Sequence, residues 1–170
     1  MKKLLIILSL AVIGTQSCTA GNKQSKGKTG NETSISPPET NGEGTTLITK
    51  AEFLDQIWNY EESPDELKFK GNKPVIIDFY ADWCGPCRIA SPILEKVASE
   101  YDGKIKVYKV DTQKERELAA AFGIQSIPAF LYIPMEGKPV MTAGIGQSEE
   151  ETKNMFIDNI NKYLLTNTEK

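Results

Sequence analysis

Apolar and polar residues recur along this chain with periods that distinguish strands from helices. Val75–Tyr80 is an almost continuous apolar run, which is typical of a strand buried on both faces. Ile105–Val110 alternates apolar with polar residues, and Ala129–Ile133 follows a proline where a strand can begin. Further strands are predicted at Leu47-Ile48 and Val140–Thr142, and helices are predicted to begin after Thr49, at Cys84, at Glu115 and after Ser148.

The order of these elements predicts an α/β fold. Strands joined through helices are expected to pair in parallel, whereas the last two strands, joined by the turn Met135–Lys138, should form a hairpin. The expected result is a central mixed β-sheet flanked by helices on both faces. Two helix starts carry the capping-box pattern, Thr49–Glu52 and Ser148–Glu151, and Pro92 predicts a kink in the longest helix.

Composition divides the chain into three segments. Residues 1–20 have the features of a signal peptide, because Met1–Lys3 is positively charged and Leu4–Ile13 is apolar but too short to span a bilayer. Residues 21–45 are polar and rich in Gly and Pro, and they are predicted to form a disordered linker. Residues 46–170 carry the apolar periodicity and form the predicted domain.

Cys18 follows small and polar residues, an arrangement that resembles a bacterial lipoprotein signal. In such a signal the cysteine becomes the lipidated first residue of the mature protein. Thr15 and Gln16 depart from the usual pattern, and ordinary cleavage near Ala20, with no function for Cys18, is the alternative. Either route predicts a domain in the periplasm or cell envelope, where disulfides persist, and the lipidated form would be tethered to a membrane.

The charge balance argues against a nucleic-acid surface. The 170-residue chain has a formal net charge of -3, and its lysines are scattered through the predicted domain. The chain contains no histidine, and neither a metal nor an organic cofactor is expected. Length, ordinary composition and the lack of a visible repeat fit one domain. The protein is expected to be a monomer.

Cys84 and Cys87 are separated by two residues where a helix is predicted to begin. Such a pair can close a small disulfide ring and reopen it. Unpaired N–H groups and the helix dipole favour a thiolate, so the pKa of Cys84 is expected to be lowered. Cys84 would attack a disulfide of a partner, and Cys87, one turn further in and more buried, would resolve the mixed disulfide.

Two other uses of a Cys-x-x-Cys pair are disfavoured by the rest of the chain. A closed zinc site needs four Cys or His ligands, and the chain offers no His and only Cys18 besides the pair. A purely structural disulfide across two residues would add little stability, because its effect grows with the length of the loop that it closes. Redox chemistry is the favoured interpretation.

The residues around the pair resemble the thioredoxin family. The similarity rests on Trp83-Cys84-Gly85-Pro86-Cys87, on Asp78 six residues before the first cysteine, and on Ile127-Pro128 before a later strand. It covers roughly Thr46 to the C-terminus. It implies a thioredoxin fold and thiol-disulfide oxidoreductase activity on protein substrates with disulfides, with a membrane or soluble thiol reductase as electron donor.

The resemblance also implies roles for individual residues. The catalytic residues would be Cys84, Cys87 and Asp78, and the exposed ring would be shaped by Trp83, Gly85 and Pro86. The Ile127–Pro128 peptide is expected to be cis, against the cysteine pair, with the Ile127 backbone free to pair with a substrate peptide. Gly144–Gly146 resembles the family's substrate-groove loop with one extra residue, which leaves open which glycine takes the usual place.

Asp78 interrupts the apolar run of the central strand, and burial there should raise its pKa. Its side chain could pair with a buried donor or accept the proton of Cys87 through water, and the resemblance favours the proton acceptor. Many family members place a lysine near this carboxylate from the next strand. The matching position here is Val107, which predicts an even higher pKa for Asp78.

Gly85-Pro86 is the dipeptide of reducing thioredoxins, whose potential is about −270 mV, so the resemblance favours a reductase over an oxidase. Two alternatives stay open. An envelope protein dedicated to cytochrome maturation or disulfide formation would share the fold, but the interval of 128 − 87 = 41 residues from Cys87 to Pro128 is the compact thioredoxin spacing. A non-catalytic binding module would also share the fold, and the intact motif with Asp78 argues against it.

Overall fold

The computed structural model describes residues 44–64 and 66–165, which form one five-stranded sheet and four α-helices. The strands are β1 (Thr45–Leu47), β2 (Val75–Tyr80), β3 (Lys106–Asp111), β4 (Ala129–Ile133) and β5 (Val140–Ala143). The helices are α1 (Lys50–Gln56), α2 (Gly85–Glu100), α3 (Arg116–Ala121) and α4 (Glu149–Asn159), which continues into a π-helical segment (Ile160–Leu165). The predicted order of elements is confirmed.

The strand order β1-β3-β2-β4-β5 places β2 at the centre of the sheet. Strands β1 and β2 pair in parallel with β3, whereas β4 pairs antiparallel with both β2 and β5. This confirms the predicted mixed sheet and its final hairpin. Because parallel strands run in the same direction, the carboxyl ends of β1, β2 and β3 lie at one edge of the sheet, where the antiparallel β4 begins.

Apolar side chains cover both faces of the sheet. One face packs against α2 and α4 through residues such as Leu94 and Phe156. The other packs against α1 and α3, with Leu118 among the buried residues. Neighbouring residues of β2 point to opposite faces, so Ile76 belongs to the first layer and Ile77 to the second. Helices therefore flank both faces, as the sequence predicts.

The two predicted capping boxes form to different degrees. The Thr49 hydroxyl accepts from the Glu52 N–H, and the Glu52 carboxylate accepts from the Thr49 N–H at 2.8 Å, so the first box is complete. The Ser148 hydroxyl accepts from the Glu151 N–H at 3.1 Å, but the Glu151 carboxylate accepts from the Gln147 N–H at 2.7 Å, one residue earlier than predicted. This shifted contact fixes the loop before α4 to the helix.

Several predictions concern residues outside the described part of the chain. The signal peptide at 1–20, Cys18 and most of the linker at 21–45 lie there. The described chain begins at Gly44, and Thr45, the last residue of the predicted linker, already belongs to β1. Among the described helices, none is long and apolar enough to cross a membrane.

Candidate active site

Cys84 and Cys87 lie where the chain passes from the carboxyl end of β2 into α2. Cys84 caps the helix in an extended backbone conformation, and Pro86 lies in the first turn, where its missing N–H leaves no helical hydrogen bond unmade. The two cysteines form a disulfide, with their Cα atoms 5.3 Å apart. The pair thus occupies the helix N-terminus that the sequence predicts.

The sulfur atoms are recessed beneath a more exposed rim. Cys84 and Cys87 are only 3% and 2% exposed, whereas Trp83 is 66% exposed and Pro86 is exposed as well. The sequence predicted an exposed ring around Cys84 and a more deeply buried Cys87, and the structure shows nearly equal burial of both. A partner has to approach closely over Trp83 and Pro86 to reach either sulfur.

The backbone around the Cys84 sulfur stabilises negative charge on that atom. The Cys87 N–H donates to Cys84 Sγ at 3.2 Å, at the positive end of the α2 dipole. The Ile127 carbonyl oxygen lies 3.7 Å from the same sulfur, within reach of a thiol proton. The N–H donor and the helix N-terminus favour negative charge on this sulfur, whereas the carbonyl oxygen would accept the proton of a thiol.

The Ile127–Pro128 peptide is cis, as the resemblance implies, and Ile127 packs against the cysteine pair. Gly144 borders this peptide: its N–H donates to the Pro128 oxygen at 2.9 Å, and its φ is +83°, which favours glycine. Gly146 has a different constraint, since a Cβ atom there would lie 2.6 Å from the Cβ of Glu151. Of the two loop glycines, Gly144 is the one beside the site.

Asp78 is buried in the middle of β2, on the face that packs against α2. The residue is 1% exposed, and neither carboxylate oxygen has a hydrogen-bond partner among the described residues. Loss of hydration raises the pKa of Asp78 to about 7, although the positive charge of Lys109 opposes this rise. The predicted rise in pKa is confirmed, and the alternative in which a buried donor pairs with the carboxylate is not what the structure shows.

A lysine does lie beside Asp78, so the expectation drawn from Val107 is wrong. Lys109 is the register partner of Asp78 on β3, two residues beyond Val107 and on the same face. It is 8% exposed, and its Nζ lies 3.2 Å from Ser91 Oγ and 3.5 Å from the Glu95 carboxylate, both on α2. Helix α2 therefore holds the cation that limits the rise in the Asp78 pKa.

Sequence reasoning missed Lys109 and its partners Ser91 and Glu95. Their relation to Asp78 depends on strand register, which becomes known only when β2 and β3 are paired. One signal was available. The alternation of β3 puts Lys109 on the same face as Val107, and a lysine on a buried strand face is rare unless it has a partner.

Two surface depressions adjoin the disulfide. A cleft of about 420 Å³ is lined by Cys87, Arg88, Ser91 and Lys109, so it extends from the second cysteine to the neighbour of Asp78. A groove of about 540 Å³ is lined by residues that include Trp83, Arg116, Ala120 and Ile127. Arg88, Ser91 and Lys109 give the mostly apolar cleft polar groups that can bind water, and the groove is an open surface beside Trp83 and Ile127.

Comparison with known proteins finds the same region in a family model and in individual proteins. Residues 49–161 match the family model described as Thioredoxin. A thioredoxin of Borreliella burgdorferi is 43% identical over 111 residues, which cover 65% of this chain and 93% of that protein. The thioredoxins of Porphyra purpurea and Pyropia yezoensis are 43% and 38% identical over 117 residues, which cover 69% of this chain and 94% of each relative.

Replacing Asp78 with alanine should stabilise the oxidised protein at pH 8 far more than at pH 4. Since the pKa rises from 3.8 to about 7 on folding, the folded state holds a proton that the unfolded state has released between these values. The free energy of unfolding of the wild-type protein therefore falls by about 4 kcal/mol as the pH rises through this window. The Asp78→Ala variant has no carboxyl group to ionise there and should not show this fall. Urea unfolding at the two pH values measures the difference.

The matched control is Asp55→Ala, which removes an exposed carboxylate on α1. It should change the free energy of unfolding by a similar small amount at both pH values. If Asp78→Ala raised the free energy of unfolding equally at pH 4 and pH 8, the buried carboxyl group would not titrate near neutral pH.

Proposed function

The chain belongs to the thioredoxin family and is a disulfide oxidoreductase with a Cys84–Cys87 pair, and from this premise we propose that it reduces protein disulfides outside the cytoplasm. One observation carries the proposal: a disulfide closed across a helix N-terminus, in contact with the cis Ile127–Pro128 peptide. A cysteine pair in this setting is suited to exchange. Gly85-Pro86, the dipeptide of reducing thioredoxins, supports the reductase direction.

Reduction of a partner takes two exchanges. The Cys84 thiolate attacks one sulfur of the partner's disulfide, which forms a mixed disulfide and releases the other partner sulfur as a thiolate. The Cys87 thiolate then attacks the Cys84 sulfur, which closes the internal disulfide and releases the partner's remaining thiolate. Two electrons pass from the cysteine pair to the partner, and a membrane or soluble thiol reductase must resupply them.

Asp78 accepts the proton that Cys87 loses before the second exchange. A carboxylate with a pKa of about 7 is matched to proton transfer near neutral pH. The cleft lined by Cys87 and Lys109 supports a path for this proton through water. Lys109 stabilises the negative charge that Asp78 carries before it accepts the proton, and contacts with Ser91 and Glu95 hold the lysine in position.

The partner polypeptide lies in the groove beside Trp83 and pairs with the backbone of Ile127. The 66% exposure of Trp83 offers a large apolar contact, and the groove extends from it to Ile127. An extended segment bound there would bring its disulfide over the recessed Cys84 sulfur. Such backbone pairing tolerates many partner sequences, because the peptide hydrogen bonds do not depend on side chains.

The protein acts in the periplasm or cell envelope as a monomer tethered through a lipid on Cys18. The support comes from the sequence: a charged start, the apolar run Leu4–Ile13, and Cys18 after small and polar residues. A compartment in which disulfides form and persist provides substrates for a reductase. It also requires a membrane or soluble thiol reductase as the donor of electrons.

Replacing Cys87 with serine should trap partners as mixed disulfides with Cys84. The first exchange needs only Cys84, whereas release of the partner needs the Cys87 thiolate. Incubation with insulin whose disulfides are intact should yield a covalent adduct on a non-reducing gel. The rate of insulin reduction should fall to the uncatalysed rate. Cys84→Ser is the control and should form no adduct, because Cys87 does not occupy the helix N-cap position, where an N–H group donates to the Cys84 sulfur. Absence of an adduct with Cys87→Ser would contradict the assigned order of attack.

Replacing Cys18 with serine should move the protein out of the membrane fraction. A lipidated cysteine anchors the chain, whereas serine has no thiol that can be joined to a lipid through a thioether. Fractionation of cells after labelling with a radioactive fatty acid should show label and membrane association for the wild-type chain and neither for Cys18→Ser. An unlabelled wild-type chain in the soluble fraction would contradict the tether.

A further inference from the structure

The topology of the sheet puts the start of the domain at the end opposite the disulfide. Strands β1 and β2 are both parallel to β3, so Thr45, the first residue of β1, lies at the same end as Val75, the first residue of β2. The disulfide follows the other end of β2. A six-residue strand spans about 17 Å, so the length of the sheet separates the two positions.

Packing fixes the point at which the chain enters the domain. Gly44 has a φ of +107°, and a Cβ atom there would lie 3.0 Å from the Cβ of Ala98 and 3.1 Å from the backbone nitrogen of Ser99. Both contacts belong to the last turns of α2, which begins at the disulfide. The described chain therefore enters the domain at the end away from the active site.

The loops at this entry end, which we call the basic end, carry an excess of lysines. Among the described residues 70–74, 101–106 and 134–139, the charged ones are Lys70, Lys73, Lys104, Lys106 and Lys138 against Asp102 and Glu136. These three segments are therefore positive, although the rest of the loop between α1 and β2 carries Glu61, Glu62 and Glu66 against Lys68 and the whole chain has a formal net charge of -3. One depression of about 400 Å³ there is lined by Lys70, Lys73 and Lys106, with no carboxylate in its lining.

An adjoining depression of about 650 Å³ adds Lys104 and the apolar Met135, which is 45% exposed, and it contains Glu136 as well. Lys73 lines both depressions, so the lysines form one continuous surface. The active-site end has the opposite character in α4, which starts there with three consecutive glutamates, Glu149–Glu151. The domain is thus polarised along the strands.

We propose that the basic end rests on the anionic phospholipid headgroups of the membrane to which the chain is tethered. The orientation points the disulfide away from that membrane. This inference rests on the proposed N-terminal tether, which attaches at the same end. Lysines near an anionic surface are attracted over about one Debye length, and a tether at this end raises the effective concentration of the surface, so a weak attraction suffices. Disulfides of proteins in the aqueous compartment are then the accessible substrates.

The test uses the full chain attached to vesicles and measures how fast each lysine is acylated by an N-hydroxysuccinimide ester. Vesicles of phosphatidylcholine alone are compared with vesicles that also contain phosphatidylglycerol. Acylation of Lys73, Lys104 and Lys106 should slow about fivefold on the anionic vesicles, and about 0.5 M salt should abolish the effect. Lys114, at the active-site end and 76% exposed, should be acylated equally on both.

Two triple variants with the same change in net charge serve as a matched pair. Lys70→Gln/Lys73→Gln/Lys106→Gln should remove the protection of Lys104, the remaining reporter. Lys96→Gln/Lys114→Gln/Lys153→Gln, which changes the exposed Lys96 and Lys114 and the half-buried Lys153 outside these three segments, should preserve it. Insulin reduction by both variants verifies that they are folded.

The outcomes separate the tether from the basic end. Attachment of the chain to neutral vesicles tests the tether alone, and a chain that does not attach to them would overturn the tether. Protection of the lysines on anionic vesicles would in that case still support binding of the basic end to headgroups. Attachment with equal acylation on both vesicle types would overturn the proposal and leave the tether standing. Loss of Lys104 protection in both triple variants would also overturn it, because net charge rather than this surface would then be responsible.

Discussion

The position of β2 between a parallel and an antiparallel neighbour is the constraint on which the site depends. Its parallel pairing with β3 places Lys109 beside Asp78, and its antiparallel pairing with β4 brings the cis-Pro128 peptide to the edge where β2 ends. Helix α2 starts at that edge, so Cys84 meets the helix N-terminus and Ile127 together. This strand arrangement therefore brings the cysteine pair close to both Lys109 and Ile127.

The same strand carries the least favourable residue of the core. Burial of Asp78 without a hydrogen-bond partner among the described residues disfavours its charged form, and the lysine opposite it offsets only part of that cost. Buried groups with shifted pKa values are common at functional sites, where a group that titrates near neutral pH can exchange a proton. Exchange between buried thiols needs such a group. Stability and the proposed role of Asp78 as a proton acceptor are thus in conflict, and the conflict depends on pH.

Local patterns predicted the elements, the complete cap at Thr49, the cysteine pair and the burial of Asp78, because each depends on neighbours in sequence. Lys109 was missed because its distance from Asp78 is set by strand register. The burial of Cys84 was missed for a similar reason, since the Ile127 loop that covers it comes from 43 residues away. The choice between Gly144 and Gly146 likewise required the packing of α4.

The reduction potential of the Cys84–Cys87 pair tests the central claim, that this pair gives electrons to partner disulfides. The protein would be equilibrated with buffers of known thiol-disulfide ratio, and the fraction of closed disulfide would be measured by alkylation and mass spectrometry. A helix N-terminus with Gly85-Pro86 between the cysteines predicts a value near −270 mV, as for reducing thioredoxins. A value nearer −120 mV would contradict the account, since the pair would then accept electrons and form disulfides in its partners.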